Sequence, residues 1–271
     1  MKCAYVTLVM RGDAYVDGAI ALANSIRATG TRYDLVCMVT DDVTRSVELR
    51  ELFTWVVCVP YWHFTCGQML TDRQRQLYGN WINYSFTKWR CFQVMEMYDR
   101  CVYMDADQVV LRNIDHLFEH SYAMCFNDRY DHRFKRFRHG DLIGHEEHAK
   151  ILKGGGAHLG FTGTMVFTPN VLFTNEILSL LSPENLLLSS PVNMFNNGFD
   201  EVVLAQTMVN LKVDVTQLSH VYVWNAGDYS SLRGREPYVV NYYGDRKPWV
   251  NGVEYMDVIV WRYFRYLHHT V

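Results

Sequence analysis

The sequence predicts an α/β fold, a mostly parallel sheet flanked by helices. Two observations carry this expectation. Short apolar runs, nearly continuous rather than alternating, recur through the first half of the chain. Between them lie stretches whose apolar residues return at helical spacing. A strand that is apolar on both faces needs cover on both faces, and helical crossovers between parallel strands supply it.

The elements follow in order. Cys3 to Val9 is a compact apolar strand. Tyr15 to Thr29 carries Val16, Ala19, Ala23 and Ile26 on one helical face, and Gly30 is its stop signal. Asp34 to Thr40 is a second strand, Val43 to Phe53 a helix, and Trp55 to Pro60 a third strand. Thr87 to Tyr98 reads as a helix and Cys101 to Met104 as a strand. The pattern weakens after Phe126. Residues 127–160 are rich in Arg, His and Gly with little periodicity, and are expected to form a long mobile loop over a site. A strand returns at Phe161 to Thr168, a helix at Asp200 to Asn210, and a late strand at Tyr238 to Tyr243. No internal repeat or low-complexity linker divides the chain, so a single domain over 1–271 is the simpler expectation.

Composition narrows the function classes. Of 271 residues, 49% are hydrophobic and 20% charged, enough apolar side chain for a well-buried core. A formal net charge of −3 gives no global attraction to nucleic acid or to an anionic membrane. No apolar run is long enough to span a bilayer. The opening apolar stretch is broken by Arg11, Gly12 and Asp13, which favours a first strand over a leader. The seven cysteines are odd in number, scattered, and partly inside apolar runs. They read as buried free thiols in a reducing compartment, the cytoplasm with or without the nucleus, and the host's for a viral chain.

The sharpest chemical signal is Tyr103-Met104-Asp105-Ala106-Asp107, an apolar strand running into two aspartates. In extended chain an i, i+2 spacing puts both carboxylates on one face. There they repel each other unless a cation sits between them. A hard divalent ion with oxygen ligands fits, with open positions for phosphate oxygens. A solvated acidic turn is the alternative that the motif alone leaves open.

Further stretches come in a fixed order: Ala4-Tyr-Val-Thr-Leu8, Asp13-Ala-Tyr15, Phe86-Thr-Lys88-Trp89, Val102 to Asp107, Asn113-Ile-Asp115, Gly198 to Glu201, and Gly244-Asp-Arg-Lys247-Pro-Trp249. With them the chain resembles family 8 of the glycosyltransferases, in particular glycogenin and the glycogenin-like proteins of baculoviruses. The resemblance implies a GT-A fold, a UDP-sugar donor (UDP-glucose or UDP-galactose), Mn²⁺ or Mg²⁺, and retention of anomeric configuration. It places Asp105 and Asp107 on the metal, with Asp105 also near the ribose. Leu8 and Tyr15 would line the uridine pocket, with Ala106 and Asn197 also at the donor. Lys88 and Lys247 would contact the diphosphate, Gly244 would let backbone approach it, and Asp200 with Glu201 would sit at the sugar. Expected partners are the donor and an acceptor that the sequence does not name; a homodimer is left open.

The implied chemistry is consistent. Transfer leaves a diphosphate with growing negative charge, and a divalent ion with two lysines would stabilise it. A carboxylate at the sugar can act as a nucleophile or steady a front-face attack, and both routes stay open. Three departures stand out. Asn241 occupies the position where the family has a third metal ligand, a histidine. Phe161-Thr162-Gly163 stands where glycogenin has Asn-Ser-Gly. The segment carrying glycogenin's self-glucosylated tyrosine is shortened, and Tyr229 has no clear correspondence to it. A donor-binding but inactive relative is therefore the rival reading.

Other motifs carry less. His145-Glu-Glu-His148 lacks the i, i+4 histidine spacing of a metalloprotease helix, though a zinc site with His139 and His158 stays open beside a plain polar loop. Arg129 to Arg138 interleaves basic and aromatic residues, which suits a donor, an acceptor, a single-stranded nucleic acid or solvent. Gly154-Gly155-Gly156 lacks the Lys and Ser/Thr of a P-loop and reads as a hinge.

Overall fold

The computed structural model describes residues 1–79, 81–126, 134–154, 159–195, 197–245, 247–250 and 256–267. Strand β1 (Cys3–Val9) is buried at every position. It pairs in parallel with β2 (Asp34–Val39) on one side and with β4 (Arg100–Met104) on the other, and β3 (Trp55–Cys58) extends β2 in parallel. The short strand β5 (Gln108–Val110) leaves this sheet. Beyond β4 come β8 (Phe161–Phe167), β6 (Ala123–Cys125), β9 (Val215–Gln217) and β7 (Leu142–Ile143), giving the order β3-β2-β1-β4-β8-β6-β9-β7. A second sheet has the order β10-β11-β5, from β10 (Trp224–Asn225) and β11 (Val239–Asn241).

Both faces of the large sheet are covered, as continuous apolar strands require. Alternate residues of β1 enter two different cores. Ala4, Val6 and Leu8 join Phe86, Trp89, Phe92 and Phe199 on one face. Cys3, Tyr5 and Val9 join Val16, Ile20 and Ala23 of helix Val16–Ala28 on the other. All seven cysteines are free thiols, and Cys3, Cys37, Cys91, Cys101 and Cys125 are buried.

One sequence expectation holds and three are corrected. First, the large sheet is mostly parallel, as expected: β3 through β4 and the β6–β9 pair run parallel, while β8 runs antiparallel to both its neighbours and β7 to β9. Burial on both faces produces the same apolar run whichever way a strand points, so direction was not in the pattern. Second, the segment expected as one loop over 127–160 holds β7 and the helix His145–Gly154; residues 127–133 and 155–158 lie outside the described residues. That helix buries only His148 and Ile151, too thin an apolar stripe to register as a period. Third, the expected helix Thr87 to Tyr98 begins earlier, as the 3₁₀ helix Ile82–Arg90, followed by one α-turn, Cys91–Val94. Phe86 and Trp89, three apart and both fully buried, suit three residues per turn. Fourth, helices Asp72–Tyr78 and Val171–Leu180 had no counterpart in the reading.

Candidate active site

Val9 ends β1 and Met104 ends β4, so the chain delivers Asp105 to the carboxyl edge of the parallel strands. Ligands in open α/β sheets gather there. Asp105, Ala106 and Asp107 form a turn slung between the two sheets, not an extension of β4. The Asp105 N–H donates to the Gly163 carbonyl of β8 at 2.8 Å, and the Tyr242 N–H donates to the Asp107 carbonyl at 2.9 Å. The aspartates therefore share a surface through turn geometry, not through the period of a strand.

Both carboxylates border two adjoining cavities, of about 340 and 580 Å³. Leu8, Tyr15 and Ala106 line the smaller one, together with Lys88. Tyr15 also lines the larger, with Asn197, Glu201, Gly244 and Lys247. Gly244 has φ +90°, a conformation that side-chain-bearing residues rarely adopt.

Each aspartate is met by a buried lysine. The Lys88 ammonium donates to Asp105 Oδ1 at 3.0 Å and to Thr162 Oγ1 at 2.9 Å, and lies 4.5 Å from the Tyr103 ring centroid. Burial works against that charge, but Asp105, Asp200 and Glu201 outweigh it and hold its pKa above the ordinary value. Lys247 donates to Asp107 and, at 2.7 Å, to the Tyr242 carbonyl. Its pKa also stands above the ordinary value: burial opposes, and Asp107 with Tyr15 prevails.

Asp200 and Glu201 open the helix Phe199–Asn210, where the helix dipole favours acidic groups. Glu201 lines the larger cavity, and its Oε1 accepts from Thr162 at 3.1 Å. Burial first, then Asp200 and Asp105, push its carboxyl up to about 8 against Lys88 and Thr162. Asp200 is 8% exposed and also raised, by burial, with Lys88 and Ser85 opposing. Gly198 before them is needed for space, since a Cβ there would come within 2.4 Å of Asp200 Oδ1.

A cation is consistent with the aspartate pair. Asp107 Oδ1 is buried and has no hydrogen-bond partner, an arrangement that costs free energy unless something positive is supplied. Among the described residues no group of three or more His, Cys, Asp or Glu side chains could hold a metal ion. Asn241 lies in register with Gln108, next to Asp107. Its Nδ2 donates to Asn225 Oδ1 at 2.8 Å, and it is Asn225 that lines the larger cavity.

Glycogenin-1 of Homo sapiens is 26% identical over 248 residues, 91% of this chain and 62% of that protein. A putative UDP-glucuronate:xylan alpha-glucuronosyltransferase 5 of Arabidopsis thaliana is 36% identical over 121 residues, 44% of this chain and 20% of that protein. The chain is similar to the glycogenin-like family 8 glycosyltransferases over most of its length. It spans less than two thirds of the length of these two curated relatives. No family model matches it. The solved galactosyltransferase LgtC, in complex with donor and acceptor sugar analogues, superposes with a TM-score of 0.62 at 13% identity over 99% of this chain and 97% of that one. That likeness establishes the GT-A fold.

Within this glycogenin-like frame, the departures take on positions. Phe161 lines the larger cavity, beside Glu201 and Asp105. Asn197 lines it too, but both ends of its amide hold backbone: Oδ1 accepts from Leu159 N at 2.6 Å and Nδ2 donates to the Gly160 carbonyl at 3.1 Å. The Tyr229 hydroxyl is committed to Asp257 at 2.9 Å. The histidines of the 145–148 motif diverge. His145 pairs with Asp214 at 2.8 Å, while His148 is buried against Phe126 with burial lowering its pKa to about 4. His158 lies outside the described residues, as do Arg129 to Arg133 and Gly155 to Gly156. Of the basic-aromatic stretch, Phe134 is core and Arg136 pairs with Glu147 at 2.7 Å.

Several lining residues had no signal in the sequence. Trp81 borders both cavities, and Tyr78, Tyr243 and Asn225 border the larger. Thr162, which joins Lys88 to Glu201, stood in a quoted motif but carried no assigned role.

Proposed function

We propose that the chain is a metal-dependent retaining glycosyltransferase that moves a hexose from a UDP-sugar to an acceptor. The observation that carries this is the meeting of two cavities at Asp105 and Asp107, each aspartate paired with its own lysine. The smaller cavity takes the uridine, against Leu8, Tyr15 and Ala106. Asp105 and Asp107 would hold Mn²⁺ or Mg²⁺, with an amide oxygen of the Asn225–Asn241 pair as third ligand. A bound divalent ion would supply Lewis-acid neutralisation of the departing diphosphate. Lys88 and Lys247 add fixed positive charge where that negative charge grows. Glu201 addresses the sugar from the cavity side and Asp200 supports it. Phe161 offers the sugar a ring in place of a hydrogen-bonding amide, which narrows the choice of hexose.

The test is thermal unfolding with Mn²⁺ or Mg²⁺ and UDP, UDP-glucose or UDP-galactose, followed by UDP release. A ligand that binds only the native state raises the melting temperature. No stabilisation by UDP with either metal overturns the reading. Stabilisation without turnover favours a donor-binding, inactive relative, a reading kept alive by the engagement of Asn241 with Asn225. Among the described residues no helix is long and apolar enough to cross a membrane. The free thiols favour a cytoplasmic or nuclear setting.

A further inference from the structure

Glu201 borders a third cavity besides the larger one of the candidate site. This cavity measures about 10 Å³, and every other residue around it is buried. Its walls are mostly apolar, with Phe126, Phe134 and Leu204 among them. Among the described residues, Thr162 and His148 supply the other polar groups. Both ring nitrogens of His148 are buried, and neither has a hydrogen-bond partner among the described residues. A buried polar group in that state costs free energy. The side chain is nonetheless firmly placed. Its ring stacks on Phe126 with centroids 5.1 Å apart, and Phe126 packs on Phe134 at 4.8 Å. To either side of it in helix His145–Gly154, His145 pairs with Asp214 at 2.8 Å and Glu147 with Arg136 at 2.7 Å. The helix packs against Phe199–Asn210, which carries Glu201.

We propose that His148 is a positioning residue for Glu201: one water seated in this cavity joins its imidazole to the Glu201 carboxyl and holds that carboxyl, in its protonated form, at the edge of the larger cavity. The volume suits a single water, which needs about 10–15 Å³ and two to four polar partners. Three such partners line the space: the His148 ring, the Glu201 carboxyl and the Thr162 hydroxyl. Thr162 accepts from Lys88 at 2.9 Å and donates to Glu201 Oε1 at 3.1 Å, which leaves its oxygen one more lone pair. The hydrogen bonds then run one way. The Glu201 O–H donates to the water, and the water donates to the bare nitrogen of neutral His148 and to Thr162. No proton changes hands. The charges of the surroundings agree. Burial first, then Asp200 and Asp105, push Glu201 up to about 8 against Lys88 and Thr162. Burial, helped by His145, lowers His148 to about 4 against Asp214 and Glu147. Acid and imidazole are therefore both uncharged at neutral pH. The consequence at the sugar rests on the donor reading above. With its proton turned to the water, Glu201 presents only acceptor lone pairs to the larger cavity, so it orients a sugar hydroxyl instead of serving as a nucleophile.

The link is tested in the ligand-free full chain by carbon-13 NMR titration of the Glu201 carboxyl, assigned with Glu201→Gln, and by nitrogen-15 NMR of the His148 ring. In the wild type one His148 nitrogen is expected to show the shift of a hydrogen-bonded acceptor. His148→Phe keeps the stack on Phe126 and the burial but removes that acceptor. A hydrogen bond to the neutral acid is then lost, and the Glu201 midpoint should fall by about one pH unit, tenfold in proton affinity. His148→Gln offers an amide oxygen in its place and should return most of the fall, which repair of packing alone would not do. If the chain turns over donor, His148→Phe should lower kcat about tenfold with little change in KM for the donor. An unmoved or raised midpoint in His148→Phe overturns the link, as does an equal fall in His148→Phe and His148→Gln. Two ring nitrogens with free-imidazole shifts in the wild type overturn it as well, whether or not the variants fold. A chain that shows the link yet fails to bind UDP upholds the water bridge and sinks the donor reading; a chain that binds UDP without the link does the reverse.

Discussion

The Lys247 ammonium is shared between the Asp107 carboxylate and the Tyr242 carbonyl, which is 2.7 Å away. The lysine is 9% exposed and the aspartate side chain 15%. A buried pair of this kind has little net worth when intact, but losing one partner leaves the other charge stranded. Asp107→Asn is therefore expected to destabilise the protein by about 3 kcal/mol. It should also remove the extra stabilisation that Mn²⁺ adds to UDP. Differential scanning fluorimetry with UDP alone and with UDP plus Mn²⁺ reads both effects. Retention of the metal-dependent increment would remove Asp107 from the ligand set.

Lys88 is the mirror case. Its partner Asp105 has a side chain 39% exposed, so Lys88→Met strands a charge that water can reach. The stability cost should be smaller than at Asp107. The kinetic cost should be large, because methionine keeps the packing and removes charge aimed at the leaving group. Turnover is expected to fall about 10²–10³-fold, the usual loss when one preorganised donor is removed from a developing anion. Donor binding should fall much less. Equal losses in binding and turnover would make Lys88 a binding residue only.

The Glu201 carboxyl, pushed up to about 8 from an ordinary 4.5, links the site to pH. The sign follows from proton uptake. Between those two values the folded state holds a proton that the unfolded state has lost, so stability is fullest below about pH 4.5 and declines as pH rises to about 8. Melting temperatures of the ligand-free protein should fall across that window. Glu201→Gln removes the titrating group and should flatten the curve, although Asp200, shifted the same way, leaves some slope. Parallel curves for the two proteins would dismiss the shift.

The sequence was informative where apolar pattern alone decides. β1 matched its expected bounds, and helix Val16–Ala28 lies within one residue of them at each end, because full burial leaves a continuous signature. The Asp105–Asp107 pair was visible as an abrupt charge at the end of an apolar strand. Strand direction was not visible, since β8 is equally apolar read either way. Helix Asp72–Tyr78 escaped because none of its residues is fully buried, so it has no apolar stripe to detect. That helix and residues 243–245 form walls that meet only in three dimensions, which is why Tyr78, Trp81 and Tyr243 gave no sign of a shared cavity. Lys88 and Lys247 were located through the family likeness. Their pairing with the aspartates is a fact of geometry that neither motif contained.

Asn241 offers the last test. It stands where the family's histidine would be, in register with Gln108, and its amide nitrogen holds the Asn225 oxygen at 2.8 Å. A third ligand from this pair would be a neutral amide oxygen. Amide oxygen is harder than imidazole nitrogen, and hard ligands separate Mn²⁺ from Mg²⁺ less sharply. Mn²⁺ and Mg²⁺ should therefore stabilise the UDP complex of the wild type to similar degrees. Asn241→His is expected to raise Mn²⁺ affinity and widen the gap between the two metals. Asn225→Ala removes the oxygen on the cavity wall and frees the Asn241 amide. If Asn225 supplies the ligand, it should weaken both metals; if it only orients Asn241, it should leave the metal affinities nearly as they were. Calorimetric titration of each metal into the UDP complex measures this without relying on turnover. Identical metal affinities in wild type, Asn241→His and Asn225→Ala would exclude both amides and leave the ion to the aspartates and the donor's own oxygens.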